Sequence, residues 1–146
     1  MAAKIYSNFL TGSSATIVAP FSNVAGAGMA PLPSVPVVIA DVVIGNAADI
    51  VIVTYNGASA ELDSISKRVV GFRIDSGTPI LGRLFENAEN LFSDFSTIYK
   101  ASDLGLTAGT YDFELVASKD GAVTSTMQHA NNYRQAGMTV TVIPGA

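Results

Sequence analysis

The chain has 146 residues, of which 49% are apolar and 14% are charged, with a net charge of -4 and no cysteine. This length predicts a single domain whose core needs no metal or disulfide, and the lack of cysteine excludes disulfides, thiolate metal sites and a cysteine nucleophile. Charged residues fall well below the roughly 25% of an ordinary soluble domain. We therefore expect a partner to cover part of the surface.

Neither nucleic acid nor a membrane is an expected partner. The basic residues form no stripe that could follow a phosphate backbone. They are Lys4, Lys67, Arg68, Arg73, Arg83, Lys100, Lys119 and Arg134. The most apolar run, residues 35–53, is interrupted by Pro36, Asp41 and Asp49, so it falls short of the roughly 20 apolar residues of a membrane helix.

Residues 1–36 contain one charged side chain, Lys4, and show neither a helical pattern nor the charged composition of a disordered tail. They predict an extended arm, joined by a proline-rich hinge to a body spanning 37–146. Exposed aliphatic and aromatic residues would promote aggregation, so the arm is expected to lie on the same domain or on a neighbour. The predicted partner-binding residues of the arm are Tyr6, Phe9, Leu10, Ile17, Val18 and Phe21.

The body opens with two runs rich in β-branched residues, 37–44 and 49–56, separated by Gly45 and Asn46. Such nearly continuous Val and Ile predict strands buried on both faces, one face in the core and the other under a partner or the arm. We therefore predict self-association through these strands. The candidate interface residues are Val38, Val42, Ile50 and Ile52.

The clearest single strand is 106–117, where Tyr111, Phe113 and Leu115 alternate with Asp112 and Glu114. This period of two predicts one buried and one solvated face. Further strands are predicted at 68–75, 78–85, 97–100 and 138–143, and the turn 119–121 predicts a hairpin from 106–117 to a strand at 122–127. Residues 86–96 predict a long loop with a helical turn. About eight short strands predict an all-β fold, an antiparallel β-sandwich or jelly roll.

No pattern in the chain predicts catalysis, a metal site or a cofactor. His129 is the single histidine and lies in a polar stretch without a nucleophile motif. The aspartates flank turns singly, without the alternate carboxylates of a calcium loop. Asp112 and Glu114 share one strand face, where alternating acids are ordinarily solvated, so they do not indicate a glycosidase pair. We therefore predict that the chain is not an enzyme and has no cofactor.

Four segments in order resemble the TNF/C1q-like jelly rolls found among bacteriophage structural proteins. They are the apolar strand pair, residues 69–77 (VVGFRIDSG), residues 106–111 (LTAGTY) and residues 138–143 (MTVTVI). The resemblance covers roughly residues 37–143. It implies a homotrimer that decorates or cements a phage head by binding the major capsid protein at the outer capsid surface, often through a terminal arm. It implies no catalytic residues.

A different class of binding protein remains open. A receptor- or glycan-binding module at a tail fibre or tip would place its site in loop residues Asn131, Asn132, Tyr133 and Arg134. The absence of tryptophan and the apolar arm disfavour this alternative, because a tip module is expected to have a solvated exterior. An enzyme of unknown type is the third possibility.

Overall fold

The computed structural model describes residues 2–9, 14–17, 29–32, 36–56, 58–61, 67–86, 90–92, 95–119, 125–128 and 136–146. Within these ranges it has thirteen strands and one short 3-10 helix, Ala101–Leu104. The strands are β1 (Lys4–Phe9), β2 (Ser14–Ile17), β3 (Ala30–Pro31), β4 (Val38–Ile44), β5 (Ile50–Asn56), β6 (Ala58–Glu61), β7 (Lys67–Ile74), β8 (Ile80–Glu86), β9 (Asn90–Phe92), β10 (Phe95–Lys100), β11 (Gly109–Lys119), β12 (Ser125–Gln128) and β13 (Gly137–Ile143).

The strands form two antiparallel layers. The first sheet has the order β1-β13-β5-β10, and the second has the order β3-β11-β7-β8, with β4 also paired to β11. A smaller sheet, β2-β12-β6-β9, repeats the order of the first, and each of its strands adjoins the corresponding first-sheet strand along the chain. The small sheet therefore continues the four strands of the first layer.

The pairing of the longer strands defines a jelly roll. Eight of the strands in the described ranges have six or more residues: β1, β4, β5, β7, β8, β10, β11 and β13. Among these eight, the first pairs with the last, the second with the seventh, the third with the sixth and the fourth with the fifth. Nested pairs of this kind are a long hairpin rolled into a sandwich. The predicted all-β antiparallel sandwich of about eight strands is confirmed.

The core lies between the two sheets and is built around aromatic rings. Phe72 stacks on Phe113 and meets Tyr99 edge to face, with both pairs of ring centroids 5.7 Å apart. Such contacts add roughly 0.5–1.5 kcal/mol to the burial of each ring. Phe113 and Leu115 are fully buried, as their alternation predicted. The core-facing residues of β11 therefore hold the second sheet against the first.

The other face of β11 is not solvated along its whole length, so that part of the prediction is wrong. Val116 and Ser118 point away from the core but are only 0% and 1% exposed. Val116 forms a second, smaller apolar cluster with Met29 and Val69. Glu114 is half-buried, and its Oε1 lies 2.6 Å from Nη2 of Arg73. Met29, which directly precedes β3, therefore covers part of the second sheet from outside.

Two local predictions fail because long-range pairing decides the structure. Within 86–96, Asn90–Phe92 is a strand, not part of a loop with a helical turn, because it pairs with β6. The hairpin predicted after β11 does not form: Ser125–Gln128 pairs with β2 and β6, so the chain has crossed to the other layer. Of the predicted turn 119–121, Lys119 ends β11, and residues 120 and 121 lie outside the described part of the chain.

Part of the predicted arm belongs to the sandwich. Residues 4–9 pair with β13 over their whole length, and Tyr6 accepts a hydrogen bond from the N–H of Val43 through its hydroxyl at 3.2 Å. Met29 and Leu32 are buried. These segments lie on their own domain, one of the two surfaces expected for the arm. The division of the chain at residue 36 stays a prediction.

Asp49 joins three segments at one end of the sandwich. Its carboxylate is 2% exposed and accepts hydrogen bonds from the N–H groups of Gly145 (2.9 Å), Gly45 (2.7 Å) and Asn46 (3.2 Å). Its own C=O accepts from the N–H of Ala101 at 2.8 Å. The bond from Gly145, with those from Gly45 and Asn46, lowers the pKa of Asp49 against the opposing effect of burial. This aspartate, which the sequence shows only as a turn residue, is therefore a structural anchor.

We expect Asp49→Asn to lower the free energy of unfolding by about 1–3 kcal/mol near pH 7, because the amide nitrogen cannot accept the bonds that one carboxylate oxygen accepts. The folded pKa lies below the unfolded value, so the carboxylate stabilises the fold above about pH 4 and loses that effect as pH falls through the folded pKa. The deficit of the variant should therefore shrink at acidic pH. Urea denaturation at several pH values measures it.

The matched control is Asp103→Asn, because Asp103 is an exposed aspartate in the 3-10 helix. It should change stability by no more than about 0.5 kcal/mol at any pH. Equal stability of Asp49→Asn and the unaltered chain near pH 7 would contradict the anchoring role.

Candidate interaction surface

The first sheet has one face in the core and one face directed outward. Along β5 and β13, Val51, Val53 and Val140 are fully buried, whereas Ile52 and Thr141 between them point away from the core. Strands β1 and β10 pair in register with these strands, so their side chains follow the same alternation. We call the outward side the outer face. Its members are Ile5, Ser7, Phe9, Ile50, Ile52, Thr54, Asn56, Ser96, Ile98, Lys100, Thr139, Thr141 and Ile143.

An apolar row crosses all four strands of the outer face. Ile5 pairs with Thr141, Thr141 with Ile52, and Ile52 with Ile98. The two edge residues, Ile5 and Ile98, are 71% and 68% exposed. In the next row Ile143, which is 40% exposed, pairs with Ile50. Exposed isoleucines therefore accumulate on one side of the sandwich.

A second row on the outer face consists of hydroxyl groups that bond to one another. Ser7 Oγ lies 3.0 Å from Thr139 Oγ1, and Thr54 Oγ1 lies 2.8 Å from Ser96 Oγ. The side-chain amide of Asn56 donates to Thr139 Oγ1 at 3.2 Å. Because these hydroxyls already have partners, covering them with an apolar surface leaves few polar groups unpaired.

The outer face carries almost no charge. Lys100, at the end of β10, is its one ionisable side chain among the members defined above. Four strands about 4.8 Å apart and six residues at about 3.4 Å give the face a plan area of about 400 Å². Isoleucines make up part of this area, and other parts carry hydroxyl groups and Lys100. An exposed, nearly uncharged surface with clustered apolar side chains is a candidate interaction site.

The structure places the four candidate interface residues in three different environments. Ile50 and Ile52 lie on the outer face, half-buried. Val38 is on β4 in the other sheet, also half-buried. Val42 is 0% exposed and lies in the core of its own chain, so it cannot contact a partner.

The position of Val42 follows from a β-bulge. Asp41 has φ 59°, and the register between β4 and β11 shifts between Tyr111 and Phe113. The extra residue reverses the alternation, so that Ile39 and Val42 both face the core. Sequence alternation alone cannot show this reversal.

The predicted arm residues are only partly visible. Tyr6 and Phe9 are half-buried in β1, while Ile17 lies in β2, and its side chain is outside the described set. Leu10, Val18 and Phe21 lie outside the described residues, as do His129 and the loop residues Asn131, Asn132, Tyr133 and Arg134.

Sequence reasoning missed three residues of the outer face, Ile5, Ile98 and Thr141. The alternation of core-facing and outward-facing residues along β1, β10 and β13 was the signal that could have identified them.

The described residues show neither a metal-binding cluster nor a membrane-spanning helix. No group of three or more histidine, aspartate or glutamate side chains within them is placed to hold a metal ion. They also contain no helix with the length and apolarity that spanning a membrane requires.

No protein-family model and no curated protein matches the sequence. Among solved structures, the xylan-binding module CBM15 is similar at 12% identity and a TM-score of 0.49, over 99% of this chain and all of that one. A xylanase 10C from Cellvibrio japonicus in complex with xylopentaose has 16% identity and a TM-score of 0.41, over 99% of this chain and 28% of that one. A structure of the infectious bursal disease virus Gt strain has 9% identity and a TM-score of 0.39, over 96% of this chain and 35% of that one. Likenesses this distant carry no information on what this chain binds.

At protein concentrations low enough for the chain to be single, we expect Ile5→Lys and Ile98→Lys each to change the free energy of unfolding by no more than about 0.5 kcal/mol, because both side chains are then mostly in water. Val140→Lys, on the opposite side of the same sheet, should cost several kcal/mol or prevent folding, because it buries an unpaired charge. Urea denaturation compares the three variants. A large loss of stability in the two isoleucine variants would show that Ile5 and Ile98 are not exposed to solvent in the single chain.

Proposed function

We propose that the chain is a virion structural protein, a decoration or cement protein that binds the major capsid protein at the outer surface of a head shell as a homotrimer. The observation that supports this proposal is the outer face, a broad, nearly uncharged surface of isoleucines and mutually bonded hydroxyls. Such a surface suits a protein partner, because neither a phosphate backbone nor a charged small molecule would gain from it.

The homotrimer would form through the outer face. Ile50 and Ile52, predicted from sequence as interface residues, lie there together with Ile5 and Ile98. Burying an exposed isoleucine contributes roughly 1.5–3 kcal/mol. Several such residues in each subunit would stabilise an assembly without requiring ion pairs, and the bonded hydroxyl row would be buried at low cost.

Attachment to the capsid would involve the arm. Tyr6 is already bonded to Val43 within its own chain, and β1 is already paired with β13. The residues proposed to contact neighbouring capsid subunits are therefore those beyond β1, namely Leu10, Ile17, Val18 and Phe21. Attachment would depend on buried apolar area and on hydrogen bonds between strands of different subunits.

The assembly is tested by light scattering coupled to size-exclusion chromatography. We expect the mass of three chains for the unaltered protein and a shift to single chains for Ile98→Lys, because three buried charges would oppose the interface. Val43→Lys is the matched control, since Val43 is also exposed, at 39%, but lies on β4 outside the outer face. A single-chain mass for the unaltered protein contradicts the trimer.

The virion role is tested on virus particles purified from the source of the chain. We expect the chain to be present in a fixed ratio to the major capsid protein, and antibodies against the folded chain to label intact heads. Absence from particles contradicts the role. Labelling confined to tails, with specific binding on a glycan array, would instead favour the receptor- or glycan-binding module.

A further inference from the structure

A cleft of about 460 Å³ opens beside the sandwich, away from the outer face. Two connections form it: the turn between β7 and β8, and the segment between β10 and β11 that includes the 3-10 helix. Its apolar floor is made by Ile74, Ile80 and Leu104, which also pack against the core. The volume lies within the range of ordinary small-molecule sites, roughly 300–1,000 Å³.

Tyr111 forms a fixed aromatic wall of this cleft. Its hydroxyl donates to the C=O of Thr107 at 3.1 Å and accepts from the N–H of Thr107 at 3.3 Å. The ring lies against Gly109, where a Cβ atom would be 3.2–3.3 Å from the hydroxyl and ring atoms. Because the ring is already positioned, a ligand that contacts it would not have to order it first.

The polar groups at the cleft give it a negative character. Asp75 and Asp103 line it, and no lysine or arginine is among the described residues that line it. The carboxylate of Asp75 is held in place, because its Oδ1 accepts from the N–H of Asp112 at 2.8 Å. Two acids alone would not define a site. Their combination with an apolar floor and a fixed aromatic ring determines which chemistry fits.

We propose that the cleft binds an organic cation, an alkylammonium or guanidinium group carried on an aliphatic stem. The stem would lie along the floor, and the cationic end would face the carboxylates and the Tyr111 ring, which attract it by charge and by cation–π contact. A lysine or arginine side chain of a partner and a free diamine share this chemistry. The site does not depend on the proposed virion role, because none of its residues belongs to the outer face.

The test is a chemical-shift titration of the full chain by NMR with 1,5-diaminopentane. Amides around the cleft should shift saturably, whereas 1-pentanol, which has the stem without charge, and ammonium chloride at matched ionic strength, which has charge without the stem, should bind much more weakly. A parallel titration with a blocked lysine, N-acetyl-lysine methylamide, separates a side-chain source from a free amine. Tighter binding of the blocked lysine would assign the site to a partner protein.

Asp103→Asn and Asp75→Asn should each weaken diamine binding about two- to fivefold, the effect of one exposed charge pair. Asn tolerates the left-handed backbone of Asp75 (φ 49°), so the variant should fold. Asp41→Asn is the matched control, because Asp41 is an exposed aspartate of similar backbone conformation (φ 59°) outside the cleft. No saturable shift with either cation, or equal weakening by Asp41→Asn, would overturn the proposal.

Discussion

The ladder between β13 and β5 is the contact on which both surfaces of the first sheet depend. It spans seven residue pairs, from Gly137 opposite Asn56 to Ile143 opposite Ile50. Because side chains alternate strictly across a strand, this single register sends Val53 and Val140 into the core and Ile52 and Thr141 outward. A slip of one residue would exchange the two sets. The stability of the core and the composition of the outer face are therefore fixed by the same hydrogen bonds.

The outer face and the cleft differ in the kind of contact that they offer. The outer face combines aliphatic side chains with hydroxyls that satisfy one another, so its affinity would come from excluded water. The cleft is smaller and negatively charged. Its affinity would come from the attraction of a bound cation to the two carboxylates and to the Tyr111 ring. Two surfaces of such different character on one jelly roll can engage two partners independently.

Local patterns in the sequence were enough to predict the sandwich and seven of its eight longer strands, because period-two alternation is a property of each strand. Pairing between distant segments was not predictable in this way, and β1 and most of the short strands were missed. The strand at Asn90–Phe92 and one partner of β12 follow from contacts with β6, whose sequence ASAE gives no strong strand signal. Ile50 and Ile52 were found because their strand is apolar on both faces. Ile5 and Ile98 were missed because each is a single apolar residue among polar neighbours.

The bulge at Asp41 also bears on how this fold can change in length. Insertions and deletions are ordinarily absorbed in loops. Here β4 has two residues, Ala40 and Asp41, where β11 has only Asp112, because the pairs on either side are Ile39 with Phe113 and Val42 with Tyr111. Deleting one of the two would restore strict alternation and leave Ile39, Val42 and Ile44 toward the core and Val43 toward solvent. A related chain that is one residue shorter at this point could therefore keep the same apolar pattern on both sides of the deletion. Changes in length at this bulge, and not only in the loops, are an expected signature of divergence.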